Sequence, residues 1–377
     1  MGGDNNRVKG AYNVLTRLAI SQKNFSEEDK REIIFLYNEV GRIKVLEFAK
    51  TKKVIPFIAQ LLCNMNIDSE YWDDQVEVYK KRNLTVIDVL AKIFVDFQNE
   101  KVFEVFVYEN FGALLSSKTN IALFASGDVD LYADISHRNA IYRILQKHGF
   151  FVQNQGKQSE KVKTEFFHPT LLVNGFGINI MWTPMSRLKL PFPMDIRYCA
   201  SINTLKQYES TEITVPSNEA LLYLCLLHIS IHSYSRSPDI RLYIDVVNMC
   251  KLNIDWHKVL EYAEHDHTIV RVLTASILTA KLLDVEIPKY VINYKSSTYS
   301  RQIKKILKLV YDNETNSLIY EPRGITVLQI EALSNDAGPI IGFTTILFPD
   351  KKWVKQFYVG VKGNIIIAYG KHILNLL

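Results

Sequence analysis

Cysteine is scarce in this chain of 377 residues. Cys63, Cys199, Cys225 and Cys250 are scattered, with no CxxC pair among them. That spacing argues against a disulfide framework or a CxxC metal site and reads as free thiols in a reducing compartment. Long apolar runs are also missing: no stretch approaches the roughly 18–20 residues that a membrane span needs. The opening MGGDNNRVKGAYNV lacks the apolar centre of a signal peptide, and Asn6 stands where a myristoylation site has Ser or Thr. The expected location is cytoplasmic. Charge of one sign is in short supply too, 45 Lys and Arg against 40 Asp and Glu. A net +5 suits an anionic ligand such as a nucleotide and is equally compatible with a neutral one, but is too small an excess to argue for nucleic acid.

What is present divides by texture into four regions. Residues 1–98 read as helical: Ser26 followed by Glu27, Glu28 and Asp29 is an N-cap with acids in the first turn, and Ile33, Ile34, Tyr37 and Val40 then recur at helical spacing. Residues 99–190 mix types: a β-prone 103–108, a short helical piece opened by Gly112, a strand over 121–133, and an amphipathic helix over 137–148 stopped by Gly149. Two apolar runs, 165–173 and 176–182, flank Asn174-Gly175, a strong hairpin signal. This block predicts an α+β core, a mixed sheet with a helix against it. Residues 191–290 return to helices, led by a long apolar run capped by Ser217. In the remaining extension, 291–377, only a basic helix near 300–311 is distinct.

The segment FASGDVDLYAD, residues 124–134, carries the chemistry. Side chains alternate along a strand, so Asp128 and Asp130 share a face, about 6.6 Å apart at the backbone. Such a pair can converge on one hard cation, since Mg²⁺–oxygen bonds are about 2.0–2.1 Å. Ser126 and Gly127 precede them, and Gly127 has no Cβ to obstruct a phosphate. Phosphoryl and nucleotidyl transfer want this arrangement, using two ions about 3.5–4 Å apart. The plainer alternative is an edge strand with one solvated face.

The chain resembles the uncharacterised nucleotidyltransferase family of the polymerase-β-like superfamily. The resemblance rests on Gly112-Ala113, then Gly127-Asp128-Val129-Asp130-Leu131, then a helix ending at Gly149-Phe150. It continues through NEALLYLCLLHISIHS (218–233), RLYIDVVNM (241–249), NIDWHKVLEYA (253–263), LLDVEIP (282–288) and LFPDKKWVKQFY (347–358). It implies a polymerase-β-like nucleotidyltransferase core, a small mixed sheet with flanking helices, embedded in N- and C-terminal helical regions. It further implies that Asp128 and Asp130 bind Mg²⁺ or Mn²⁺ and that Gly112, Ala113, Ser126 and Gly127 line the phosphates of an NTP. A helical wall would close over the nucleotide, with His232 near phosphate or base. The implied acceptor is a hydroxyl on a peptide, sugar or protein.

Three departures matter. The family's third acid on a later strand matches Asn179, which is neutral and a poorer Mg²⁺ ligand, Met181 stands where the family stretch has a histidine, and Phe111 stands where a Lys often precedes the first glycine. Glu165 is the nominated substitute acid, with Asp134 as a second. His228 and His232 share a helix face, as do Arg241 and Asp245. The latter pair reads as a surface ion pair, or else Arg241 offers its planar fork to a triphosphate. His265-Asp266-His267 reads as a solvated helix junction, and the basic, aromatic tail around Lys351 to Lys371 as an amphipathic docking helix. Three functions follow: nucleotidyl transfer, nucleotide or partner binding on a weakened fold, and phosphotransfer to a peptide.

Overall fold

A computed structural model of the chain describes residues 2–21, 24–154, 165–169, 176–182, 203–208, 211–234, 240–283, 285–313, 317–318, 325–349, 351, 354 and 364–376. The N-terminal helices are α1 (Gly2–Ser21), α2 (Glu27–Thr51), α3 (Ile55–Asn64) and α4 (Ser69–Asn99). The start of α2 is a capping box: Asp29 N donates to Ser26 Oγ at 3.1 Å, and Ser26 N donates to the Asp29 carboxylate at 3.0 Å. The buried face of α4 (Trp72, Val76, Val86, Ile87, Leu90, Phe94) continues into the main core. Among the described residues, no helix is long and apolar enough to cross a membrane.

The central sheet holds β1 (Val105–Val107), β2 (Asp128–Ala133), β3 (Phe150–Asn154), β4 (Glu165–Pro169) and β5 (Gly177–Met181) in the order β1-β2-β5-β4-β3. Only β2 and β5 pair in parallel. Between these strands run α5 (Glu109–Ser117) and α6 (Arg138–Lys147). The core is therefore α+β, a small mixed sheet flanked by helices and embedded in larger helical regions, as the sequence predicts. The expected pairing of the two apolar runs is present as β4 against β5, while Asn174-Gly175 lies outside the described residues.

Two local expectations need correction. The predicted strand over 121–133 begins only at Asp128: Ile121–Leu123 is a 3₁₀ turn, capped by Asn120, whose Oδ1 accepts from Ala122 N at 3.0 Å. An apolar run of that length does not distinguish a buried turn from a strand. Nor is β2 an edge, since β1 and β5 flank it, and Val129 to Ala133 are all buried. A hairpin of β6 (Asn203–Tyr208) and β7 (Thr211–Pro216) leads into α7 (Asn218–Ile231). Ser217 caps α7 by accepting from Ala220 N at 3.2 Å. Eight consecutive residues of α7, Ala220 to Leu227, are buried, so this helix is apolar all round and sits centrally against α5. Around it lie α8 (Arg241–Cys250), α9 (Trp256–His265) and α10 (Ile269–Leu283). The extension comprises a short α11 (Lys289–Ile292), then α12 (Ser296–Val310), α13 (Ile325–Leu333), α14 (Pro339–Leu347) and α15 (Ile365–Leu376).

Candidate active site

The parallel register of β2 and β5 sets Asp130 opposite Asn179 and Asp128 opposite Gly177. Asn179 Nδ2 donates to Asp130 Oδ1 at 2.8 Å, so the expected third-acid position supplies a hydrogen bond to its neighbour where an acid would supply charge. Asp130 is buried, and burial first, then the negative charges of Glu109 and Asp128, raise its carboxyl well above the usual range. The Asn179 amide and His228 oppose that rise.

Ser126 is a hub beside them. Its hydroxyl donates to Asp128 Oδ1 at 2.6 Å and accepts from Arg241 Nη1 at 2.7 Å and from Asn110 Nδ2 at 3.2 Å. The loop carrying Ser126 is fixed by α4. Arg82 Nη2 donates to Phe124 O at 3.0 Å and to Ser126 O at 2.8 Å, while Asn83 Nδ2 donates to Ile121 O at 2.6 Å and to Phe124 O at 2.9 Å. Buried carbonyls that miss the sheet ladder are thus satisfied by a helix from the N-terminal region. Gly127 is exposed, and a Cβ built there would meet nothing within 4 Å, so the chain is open next to Asp128, while Asp130 is buried.

Arg241 does not close the expected surface ion pair with Asp245; it crosses to Ser126. Its Nε is buried and lacks a hydrogen-bond partner among the described residues, which is costly for a guanidinium unless an anion completes it. Asp245 is pushed up to about 7, by burial first, with Arg241 and His228 opposing and Glu109 adding to the rise.

The histidines reach the site from α7. His228 Nδ1 lies 2.7 Å from Glu109 Oε2, and His228 Nε2 lies 2.9 Å from His232 Nε2. His232 therefore joins the cluster through His228. Glu109 is the functional candidate that sequence reading missed. It is buried, it opens α5 with φ of +54°, and non-glycine residues in that left-handed region are rare and enriched at functional sites. Its only sequence signal is an acid inside the apolar stretch FVYENFGALL (106–115).

Gly112 is inside α5, where a Cβ would come within 3.0 Å of both Val107 O and Leu221, and Ala113 is fully buried beside it. Phe111 packs edge-on against Phe124, ring centroids 4.8 Å apart. In the β4–β5 register Glu165 pairs with Ile180, and Phe166 is the residue opposite Asn179. Asp134 lies past the end of β2, where its carboxylate accepts from Ser136 N at 2.8 Å. Asp266 is buried, accepting from Tyr223 at 2.7 Å, and so is not a solvated junction residue. Burial pushes the thiols of Cys63, Cys225 and Cys250 up, away from the thiolate form. Most of the basic tail, 352–353 and 355–363, lies outside the described residues.

Among the described residues no group of three or more His, Cys, Asp or Glu is arranged to hold a metal ion. Asp128, beside the open position at Gly127, and the buried Asp130 still fit Mg²⁺, which takes one or two carboxylates and completes its octahedron with water and substrate phosphates.

No match was found among curated proteins. Among solved structures, the chain is similar to an antigenic nucleotidyltransferase-like protein from Paracoccidioides brasiliensis, with 15% identity over 56% of this chain and 96% of that one. Its TM-score of 0.38 is too low to transfer any feature. The family model described as "Uncharacterised nucleotidyltransferase" matches residues 39–284, which take in every element of this cluster. On that match, well over half of its length, the chain belongs to the uncharacterised nucleotidyltransferase family.

Proposed function

We propose that the protein is a Mg²⁺-dependent nucleotidyltransferase that moves a nucleotidyl group from an NTP to a hydroxyl on a peptide, sugar or protein. The observation that carries this reading is Ser126, whose hydroxyl joins Asp128 to Arg241 beside the exposed Gly127, with the buried Asp130 next along the strand. Asp128 and Asp130 would hold divalent ions, which in such reactions activate the attacking oxygen and stabilise the departing pyrophosphate. Ser126 holds the Asp128 carboxylate in place. Arg241, with an unmet Nε–H, is suited to the triphosphate because a guanidinium presents a planar fork to phosphate oxygens. Glu109 contributes negative charge beside Asp130 that Asn179 lacks, and its link to His228 keeps that charge oriented.

One observation favours a second reading, nucleotide binding without turnover: Asn179 is neutral, and its side-chain amide donates to Asp130. Label transfer separates the two. The protein is incubated with α-labelled and γ-labelled NTPs, Mg²⁺ or Mn²⁺, and hydroxyl acceptors. Transfer from the α position should fall by on the order of 10²–10⁴ in Asp128→Ala. γ-only transfer would mean a phosphotransferase, and NTP binding with no transfer of either label would leave the binding reading. Asn179→Asp should raise activity if the missing acid limits the rate.

A further inference from the structure

The extension carries a concave feature far in sequence from the acids. Helices α12, α13 and α14 enclose a groove of ≈ 640 Å³, within the range of small-ligand sites. Its wall includes Leu309, Leu333, Ile340 and Phe343. Two of these face water at a cost to the fold: Ile340 is 81% exposed and Phe343 44%.

Two further observations indicate what would cover this wall. Lys305 and Lys308 line the same groove, one helical turn apart and exposed, and neither forms an ion pair among the described residues. The groove is also preformed. Gln302 Nε2, on α12, donates to Leu333 O and Asn335 O, both at 2.9 Å. Gly342 brings α14 so close that a Cβ there would lie 2.4 Å from Ala332 O. On the far side, His372 Nε2 lies 2.7 Å from Ile346 O, tying α15 to the end of α14. A shape held from three sides need not be ordered by its ligand.

We propose that this groove binds a long-chain aliphatic carboxylate, its chain along Leu309, Leu333, Ile340 and Phe343 and its head group at Lys305 and Lys308. An apolar wall with cations at one edge matches an amphipathic anion. A neutral lipid leaves the lysines unused, and a nucleotide leaves the wall uncovered. This site is independent of the acids on β2 and of the transfer reaction.

The test is calorimetric titration of the full chain with octanoate, decanoate and dodecanoate below their micellar concentrations. Saturable 1:1 binding is expected, tightening about three- to four-fold per added methylene. Decylammonium should bind at least ten-fold more weakly than decanoate. Lys305→Glu combined with Lys308→Glu should weaken decanoate binding at least ten-fold, and Ile340→Asp should weaken it comparably. These positions are exposed, so the variants are expected to fold, and a far-ultraviolet dichroism spectrum matching the parent checks it. The proposal is overturned by absence of saturable binding, by equal binding of decylammonium, or by affinity indifferent to both variants. It is equally overturned by a concentration-dependent dimer that Ile340→Asp abolishes, which would assign the face to a second copy.

Discussion

Asp245 shares with Asp130 a cluster of charges that no single helix or strand contains. Its carboxyl is raised from 3.8 to about 7, chiefly by burial, so the folded chain retains a proton that the unfolded chain has released. A raised carboxyl contributes stability that is full below about pH 4 and is lost as pH climbs through about 7. Thermal melts of the parent and Asp245→Asn at pH 4.5 and 7.5 should therefore diverge, the variant gaining on the parent at the higher pH. Parallel melting temperatures at both values would show that Asp245 ionises as freely in the fold as outside it. Residue chemistry alone placed Asp128 and Asp130 on one face, because alternation along a strand is a local property. It could not foresee the desolvation of the Asp245 carboxyl, which depends on what α8 packs against.

At the scale of elements, the legible features were those with a short-range cause. Ser26 and Ser217 cap their helices as read, because a side-chain oxygen there satisfies an amide within the next turn. The 3₁₀ turn at 121–123 has a long-range cause: Asn83 donates to Ile121 O within it, and Arg82 and Asn83 both donate to Phe124 O just after it, from about forty residues away. Close helix packing was equally hidden. Gly342 sits against the backbone of α13, whereas Gly370 in α15 has nothing within 4 Å of its Cβ position. Gly342→Ala should destabilise by about 1–3 kcal/mol as α14 is forced outward. Gly370→Ala should be neutral or stabilising by up to about 1 kcal/mol, since alanine is the better helix former. Chemical denaturation of both variants checks this pair, and an equal response would refute the packing difference.

For the whole molecule, the extension is locked to the helical layer by buried charge. Arg271 on α10 and Glu331 on α13 are 1% and 3% exposed and 2.9 Å apart. Asp336, just beyond α13, accepts from Ile269 N and Val270 N at 2.8 and 2.9 Å, supplying the start of α10 with acceptors. Removing one partner of such a pair strands the other, so Arg271→Met should cost about 3–5 kcal/mol. Adding Glu331→Leu should restore most of that loss. Denaturant melts of the single and double variants measure the coupling, and an additive double variant would mean that the two charges are independently solvated.

By itself the sequence determined the helix caps, the alternation that pairs Asp128 with Asp130, the apolar all-round character of α7 and the resemblance that led to the family. All of these depend on neighbours within a turn or a strand, or on residue order along the chain. Tertiary structure alone decided that Asn179 donates to Asp130, that Arg241 turns to Ser126, and that Glu109 faces His228. The first follows from the parallel register of two strands about fifty residues apart, and the others from helices α8 and α7 closing over α5 and its neighbouring loop. Register and crossing are set by how whole faces bury together, and no local pattern encodes which polar atoms then meet.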